Sequence, residues 1–164
     1  MMFRAFRRVY ATKMEPLEET AREKSRFAVI VPVGKDNSLY FTMQTFVASG
    51  TTYLTFPKIY LYSTVENQVF DTIRREIESR GFTQDLEIGY IGALHHSATN
   101  INESWQVFLV KRLSCTELHQ TIQEEKRGLK KIFLNDLVQL MNDGLVMDVN
   151  SLAALQMIML KGLF

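Results

Sequence analysis

The chain has 164 residues, of which 46% are hydrophobic and 23% charged, the profile of a single globular domain long enough to bury a core. Nineteen basic against eighteen acidic residues leave a formal charge of +1, so no global field points to nucleic acid or to a membrane surface. One cysteine, Cys115, excludes a disulfide framework and a cysteine-based zinc site within these residues, and no apolar run approaches the ~20 residues that span a bilayer.

Residues 1–14 carry Arg4, Arg7, Arg8 and Lys13 with no acid before Glu15, interleaved with Phe3, Phe6, Val9 and Tyr10. This basic amphipathic pattern reads as a mitochondrial targeting segment. The competing reading is a basic arm lying on a partner surface. Residues 15–25 are charged and poor in apolar side chains, the composition of a linker, so the packed domain is expected over residues 26–164.

Residues 27–33 form a continuous β-rich run up to Gly34, the signature of a strand buried on both faces. Lys35-Asp36-Asn37-Ser38 is a turn cluster. Residues 39–47 predict a long strand broken at Gly50, and residues 51–56 a short one stopped by Pro57. Residues 59–62 lead into a helix predicted over 66–80, in which Val69/Phe70, Ile73 and Ile77 recur at helical spacing. Gly81 stands where a left-handed residue ends such a helix.

Two more strands are expected over 86–94 and 105–113, with a polar loop between them, then a short helix over 117–125 and a strand over 129–134. Residues 136–142 predict an amphipathic helix closed by Gly144. A final helix through Leu160, capped by Asn150 or Ser151, has Leu152, Leu155 and Met159 on one face. Strands first, one central helix and two closing helices suit an α/β sandwich with a mixed sheet.

The central helix reads Arg74-Arg75-Glu76-Ile77-Glu78-Ser79-Arg80-Gly81-Phe82. That order of residue types resembles the signature helix of the Nudix hydrolases. The closing stretch, Lys131 to Leu140, then Asp143-Gly144, then Asp148 to Leu155, is similar to the ADP-ribose pyrophosphatase branch of that group. The resemblance covers residues 26–161 and implies a Nudix-like α/β/α sandwich with a mixed β-sheet.

It also shows what has changed. The family holds a divalent metal with glutamates in the pattern Gly, five residues, Glu, seven residues, Arg-Glu-hydrophobic-x-Glu-Glu-x-Gly-hydrophobic. With Arg75-Glu76-Ile77 as Arg-Glu-hydrophobic, the paired glutamates fall on Ser79 and Arg80, the opening glycine on Leu61 and the next glutamate on Asn67, one residue short of Gly81. Aligned on Gly81 instead, Glu66, Arg74 and Glu78 match, but Arg75 and Ser79 replace acids, Glu76 takes an apolar position and Tyr60 the glycine. The first register keeps Phe70, Ile73 and Ile77 in the core. Neither restores a set of hard oxygen ligands of the kind magnesium requires.

Arg75, Glu76, Ser79, Arg80 and Gly81 therefore read as a vestigial Nudix box, with no catalytic residue, no metal and no cofactor expected. Glu76 and Arg80 are spaced i, i+4, as an ion pair would be. Ser97 and Glu103 resemble the family's substrate loop, and Glu103 is a candidate for a residual ligand contact against the plainer reading of a solvated loop acid. Lys126, Arg127, Lys130 and Lys131, with the arm's Arg4, Arg7 and Arg8, are candidate contacts to RNA phosphates or to a partner, against the plainer reading of solvated charge.

The expectation is a catalytically inactive Nudix-fold protein of mitochondria, a structural subunit of a large assembly. Its partners would be other protein subunits, together with RNA if that assembly is the mitochondrial ribosome or a related ribonucleoprotein; the sequence requires no membrane. Three competing readings stay open. They are an accessory subunit of a respiratory or ATP-synthase complex, a module that binds a nucleotide without cutting it, and an atypical ADP-ribose or nucleoside-diphosphate hydrolase working through Glu66, Glu76, Glu78 and Glu103.

Overall fold

The first predicted strand lies at the centre of the molecule. In the computed structural model, which describes residues 26–48, 50–82, 86–95, 104–113 and 129–163, strand β1 (Arg26–Gly34) is covered on both faces. Val29, Val31 and Val33 enter one apolar cluster, and Ala28 and Ile30 enter another on the opposite face. Successive side chains of a strand point to opposite sides, so a run without polar residues is what double coverage demands.

Around β1 the described residues build an eight-stranded mixed sheet from β2 (Leu39–Phe46), β3 (Thr51–Thr55), β4 (Lys58–Tyr60), β5 (Glu87–His95), β6 (Ser104–Leu113), β7 (Leu129–Ile132) and β8 (Val146–Met147). One half runs β5, β6, β1, β4, with β6 parallel to β1 and the other two pairings antiparallel. The other half runs β7, β2, β3, β8, with β8 parallel to β3 and the rest antiparallel. The halves join at Val33 and Leu39, across the turn that carries Asp36 and Asn37, the latter at φ +62°.

Helix α1 (Glu66–Ser79) covers one face, burying Val69, Ile73 and Ile77 against Ile30, Phe108 and Val110. Helices α2 (Leu134–Asn142) and α3 (Val149–Leu160) cover the other, where Leu137, Ala154, Leu155 and Ile158 pack with Val31, Phe41, Phe56 and Leu109. The result is the mixed α/β/α sandwich that the residue pattern implies.

Several boundaries differ from those expected. Residues 58–60 form strand β4, not merely an approach to α1, because the edge of β1 away from β6 needs partners for its backbone; Phe27 pairs with Tyr60 and Val29 with Lys58. The two-residue strand β8 is too short to leave a periodic signal. Strand β7 stops at Ile132, and α2 starts at Leu134, two residues earlier than predicted.

The cap of α3 is Asp148, not Asn150 or Ser151: its carboxylate accepts the N–H groups of both those residues. This shift also turns the helix. Ser151, Ala154, Leu155 and Ile158 face inward, whereas Leu152 and Met159, expected beside Leu155, are exposed. The predicted arm over 1–14, the linker over 15–25, the 96–103 part of the loop and the helix over 117–125 lie outside the described residues.

Candidate functional site

Helix α1 is built by its stripe of Val69, Ile73 and Ile77, one buried residue per turn. Val65 precedes it and offers no side-chain cap; Glu66 supplies an acid in the first turn, where the helix dipole favours one. At the other end Gly81, at φ +91°, turns the chain so that Phe82 enters the core, its ring edge-on to Tyr40 at 4.7 Å. Since Tyr40 pairs with Lys131 across β2 and β7, the end of α1, the β1–β2 turn and β7 converge.

The residues that the sequence pattern marks as a Nudix-like box stand on this end. Ile77 is fully buried while Glu76 and Arg80 lie on the flank of the helix, 28% and 21% exposed at the side chain, so the register that makes Ile77 the apolar position matches the packing. Arg80 donates to Glu76 Oε1 from Nε at 2.9 Å and from Nη2 at 2.6 Å. Ser79 turns its hydroxyl back onto the Glu76 carbonyl at 2.7 Å, a bond that helix interiors offer to any serine. Arg75 is exposed. Leu61, at the position of the family's opening glycine, is buried among the core residues under α1.

A magnesium ion on this helix needs several converging carboxylate oxygens. Here the carboxylate of Glu76 faces a guanidinium, Ser79 offers only a hydroxyl that is already engaged, and among the described residues no three acids, histidines or cysteines come together. The described part of the box does not fit a divalent-metal centre. Glu103 lies outside the described residues, as do Arg4, Arg7, Arg8, Lys126 and Arg127.

Of the basic cluster, Lys130 and Lys131 are described, and alternation along β7 sends them to opposite sides. Lys131 reaches Asp36 at 2.7 Å and sits 5.5 Å from the ring centre of Phe133. The ammonium of Lys131, and then the Ser38 hydroxyl, hold the Asp36 carboxyl well below the usual carboxylate range. These two lysines do not form one patch.

A second polar constellation escaped the sequence reading. Lys58 bonds Asp148 at 2.7 Å and lies 5.6 Å from the ring centre of Trp105. The Ser151 hydroxyl also donates to Asp148 and accepts the buried Phe56 N–H at 2.8 Å. Beside it Trp105 stacks on Phe27, which meets Tyr60 edge-on, which in turn meets Tyr62. The spacing Asp148…Ser151 before an apolar run was the local signal for the cap. Nothing local links Lys58 to a residue 90 positions away.

No family model matches this sequence, and neither does any curated protein sequence. Among solved structures it is similar to an ADP compounds hydrolase, with a TM-score of 0.62 over 84% of this chain and 74% of the other. The fold is Nudix-like. Identity between the two is 19%, so the likeness speaks for the Nudix-like architecture and not for retained chemistry.

Proposed function

We propose that this Nudix-fold chain is catalytically inactive and serves as a structural subunit of a large mitochondrial assembly. The observation that carries the first half is the commitment of Glu76 to Arg80: the glutamate that remains from the box is neutralised by a cation from the same helix. A guanidinium beside the carboxylate opposes a second cation, and the metal is what this family's chemistry uses to stabilise displacement at phosphorus. A core of this kind survives such a loss, because stability rests on the buried clusters and chemistry on a few side chains.

The basic arm over residues 1–14 supports a mitochondrial address. Together with Lys126, Arg127, Lys130 and Lys131 it favours a ribonucleoprotein, the mitochondrial ribosome first, over a respiratory or ATP-synthase complex. The engagement of Lys131 by Asp36 reduces that argument to its other members.

The likeness to an ADP compounds hydrolase favours a second reading, an atypical hydrolase or a nucleotide-binding module. Two measurements separate them. The purified chain with magnesium is expected to leave ADP-ribose and nucleoside diphosphates intact and not to bind them; turnover above a no-enzyme control overturns inactivity. From gently lysed mitochondria the tagged chain is expected in a megadalton particle that ribonuclease breaks down. A ribonuclease-resistant membrane particle points to a respiratory assembly, and migration as a free protein near 19.0 kDa overturns the subunit reading.

A further inference from the structure

The two faces of the sheet are covered by helices of opposite character. The outward side of α1 presents Glu66, Asp71, Arg75 and Glu78 to solvent. Helix α3 has no charged residue from Val149 to Leu160 and is apolar on both sides. Its inward residues are buried, yet Val149, Leu152, Met159 and Leu160 stand 75, 42, 51 and 80% exposed. A helix that is apolar all round is one that is covered all round.

The outward stripe has an internal symmetry. Leu152, Gln156 and Leu160 follow at intervals of four, so they lie in one row along the helix, flanked by Val149 and Met159. The row reads Leu-Gln-Leu in either direction. An antiparallel pairing about a twofold axis through Gln156 sets Leu152 against Leu160 of a second copy and Gln156 against its own equivalent. Two carboxamides facing one another can each donate and accept. Such a contact is self-complementary, as a closed dimer requires, and takes no charge out of water.

We propose that the outward face of α3 docks against the same face of a second copy of this chain, forming an antiparallel helix pair centred on Gln156. The area is of the right order. At those exposures the four apolar side chains offer roughly 400 Å² per copy, or about 800 Å² for the pair, the size of a weak, reversible contact. The dimer is therefore concentration-dependent. The inference rests on α3 alone and not on the reading of the Nudix-like site.

Sedimentation equilibrium of the full chain tests it, with the mass expected to rise from 19.0 kDa toward twice that value as concentration increases. Leu160→Asp, at an exposed position that leaves the core intact, is expected to weaken association at least about tenfold, a loss checked against an unchanged melting curve. Gln156→Cys in a Cys115→Ser background is expected to form a covalent dimer under mild oxidation, since the axis brings that position against itself. Tyr62→Cys, at an 88% exposed position outside α3, serves as the control. A mass that stays monomeric at all concentrations, or equal cross-linking from both cysteine positions, overturns the proposal. So does a monomeric chain whose Leu160→Asp variant leaves a larger particle, because a different protein then covers this face.

Discussion

Both donors of Arg80 converge on one oxygen of Glu76, at 2.9 and 2.6 Å, across one turn of α1. In the register that buries Ile77, Arg80 and its neighbour Ser79 occupy the two positions where the Nudix pattern places its paired glutamates. Placing glutamates at both positions therefore has a defined consequence. Ser79→Glu with Arg80→Glu is expected to gather three carboxylates on this end of the helix and to tighten magnesium binding by about tenfold or more, read by isothermal titration. Wild-type protein that already binds magnesium as tightly as the double variant would overturn the reading that Arg80 opposes a metal at this end of the helix. Arg80→Ala alone removes a partly buried i, i+4 pair and is expected to cost about 0.5–1 kcal/mol in a urea titration.

Ser151 is a larger stability lever than its size indicates. It accepts the N–H of Phe56, and both residues are fully buried. Ser151→Ala leaves that donor without its partner and is expected to cost about 1–3 kcal/mol, measured by urea unfolding. Asp148→Ala removes the cap of α3 and the partner of Lys58 and is expected to cost about 1–2 kcal/mol. Because Ser151 also donates to Asp148, the double variant should cost clearly less than the two losses combined. Strict additivity would show that the two side chains act independently.

The difference between these two sites explains what the sequence could disclose. The buried strands and the α1 stripe were legible because burial imposes a period on the residue types, and Gly81 and Gly144, at φ +91° and +94°, because left-handed backbone favours glycine. The Glu76–Arg80 pair was legible because it is local. The Lys58–Asp148 pair was not, since a contact across 90 residues leaves no spacing to read. The inward face of α3 was misplaced for a related reason. With apolar residues on both sides, helical periodicity cannot select one, and the cap and the neighbouring Phe56 N–H decide it.

Asp36 should leave its mark on the acid side of the stability curve. Lys131 and Ser38 hold its carboxyl below the ordinary range in the folded chain. A depressed folded value means that the contribution is complete above the unfolded value of about 3.9 and is lost as the pH falls through the lower folded one. Wild type is therefore expected to lose urea resistance more steeply than Asp36→Asn between about pH 4 and pH 2, the two converging at the acid end. Because the pair lies at the surface, added salt should shrink the difference. Parallel curves for the two proteins over that interval would remove Asp36 from the account.

Gly34 closes the same turn from the other side, where the constraint is steric. A methyl group at Gly34 would stand 2.6 Å from the Ser38 hydroxyl and 2.7 Å from Asp36 Oδ1, atoms that are hydrogen-bonded to each other at 2.6 Å. Neither can withdraw without breaking that bond, and Tyr40, at 3.4 Å, limits the space behind them. Gly34→Ala is thus expected to destabilise the chain by about 1–3 kcal/mol, the usual range for overpacking. Truncating both side chains relieves the clash, so in a background of Asp36→Ala with Ser38→Ala the added methyl should cost much less than in wild type. A thermodynamic cycle of urea midpoints measures the difference. An equal cost in both backgrounds would mean that the strain comes from the backbone at Gly34 and not from the Asp36–Ser38 bond.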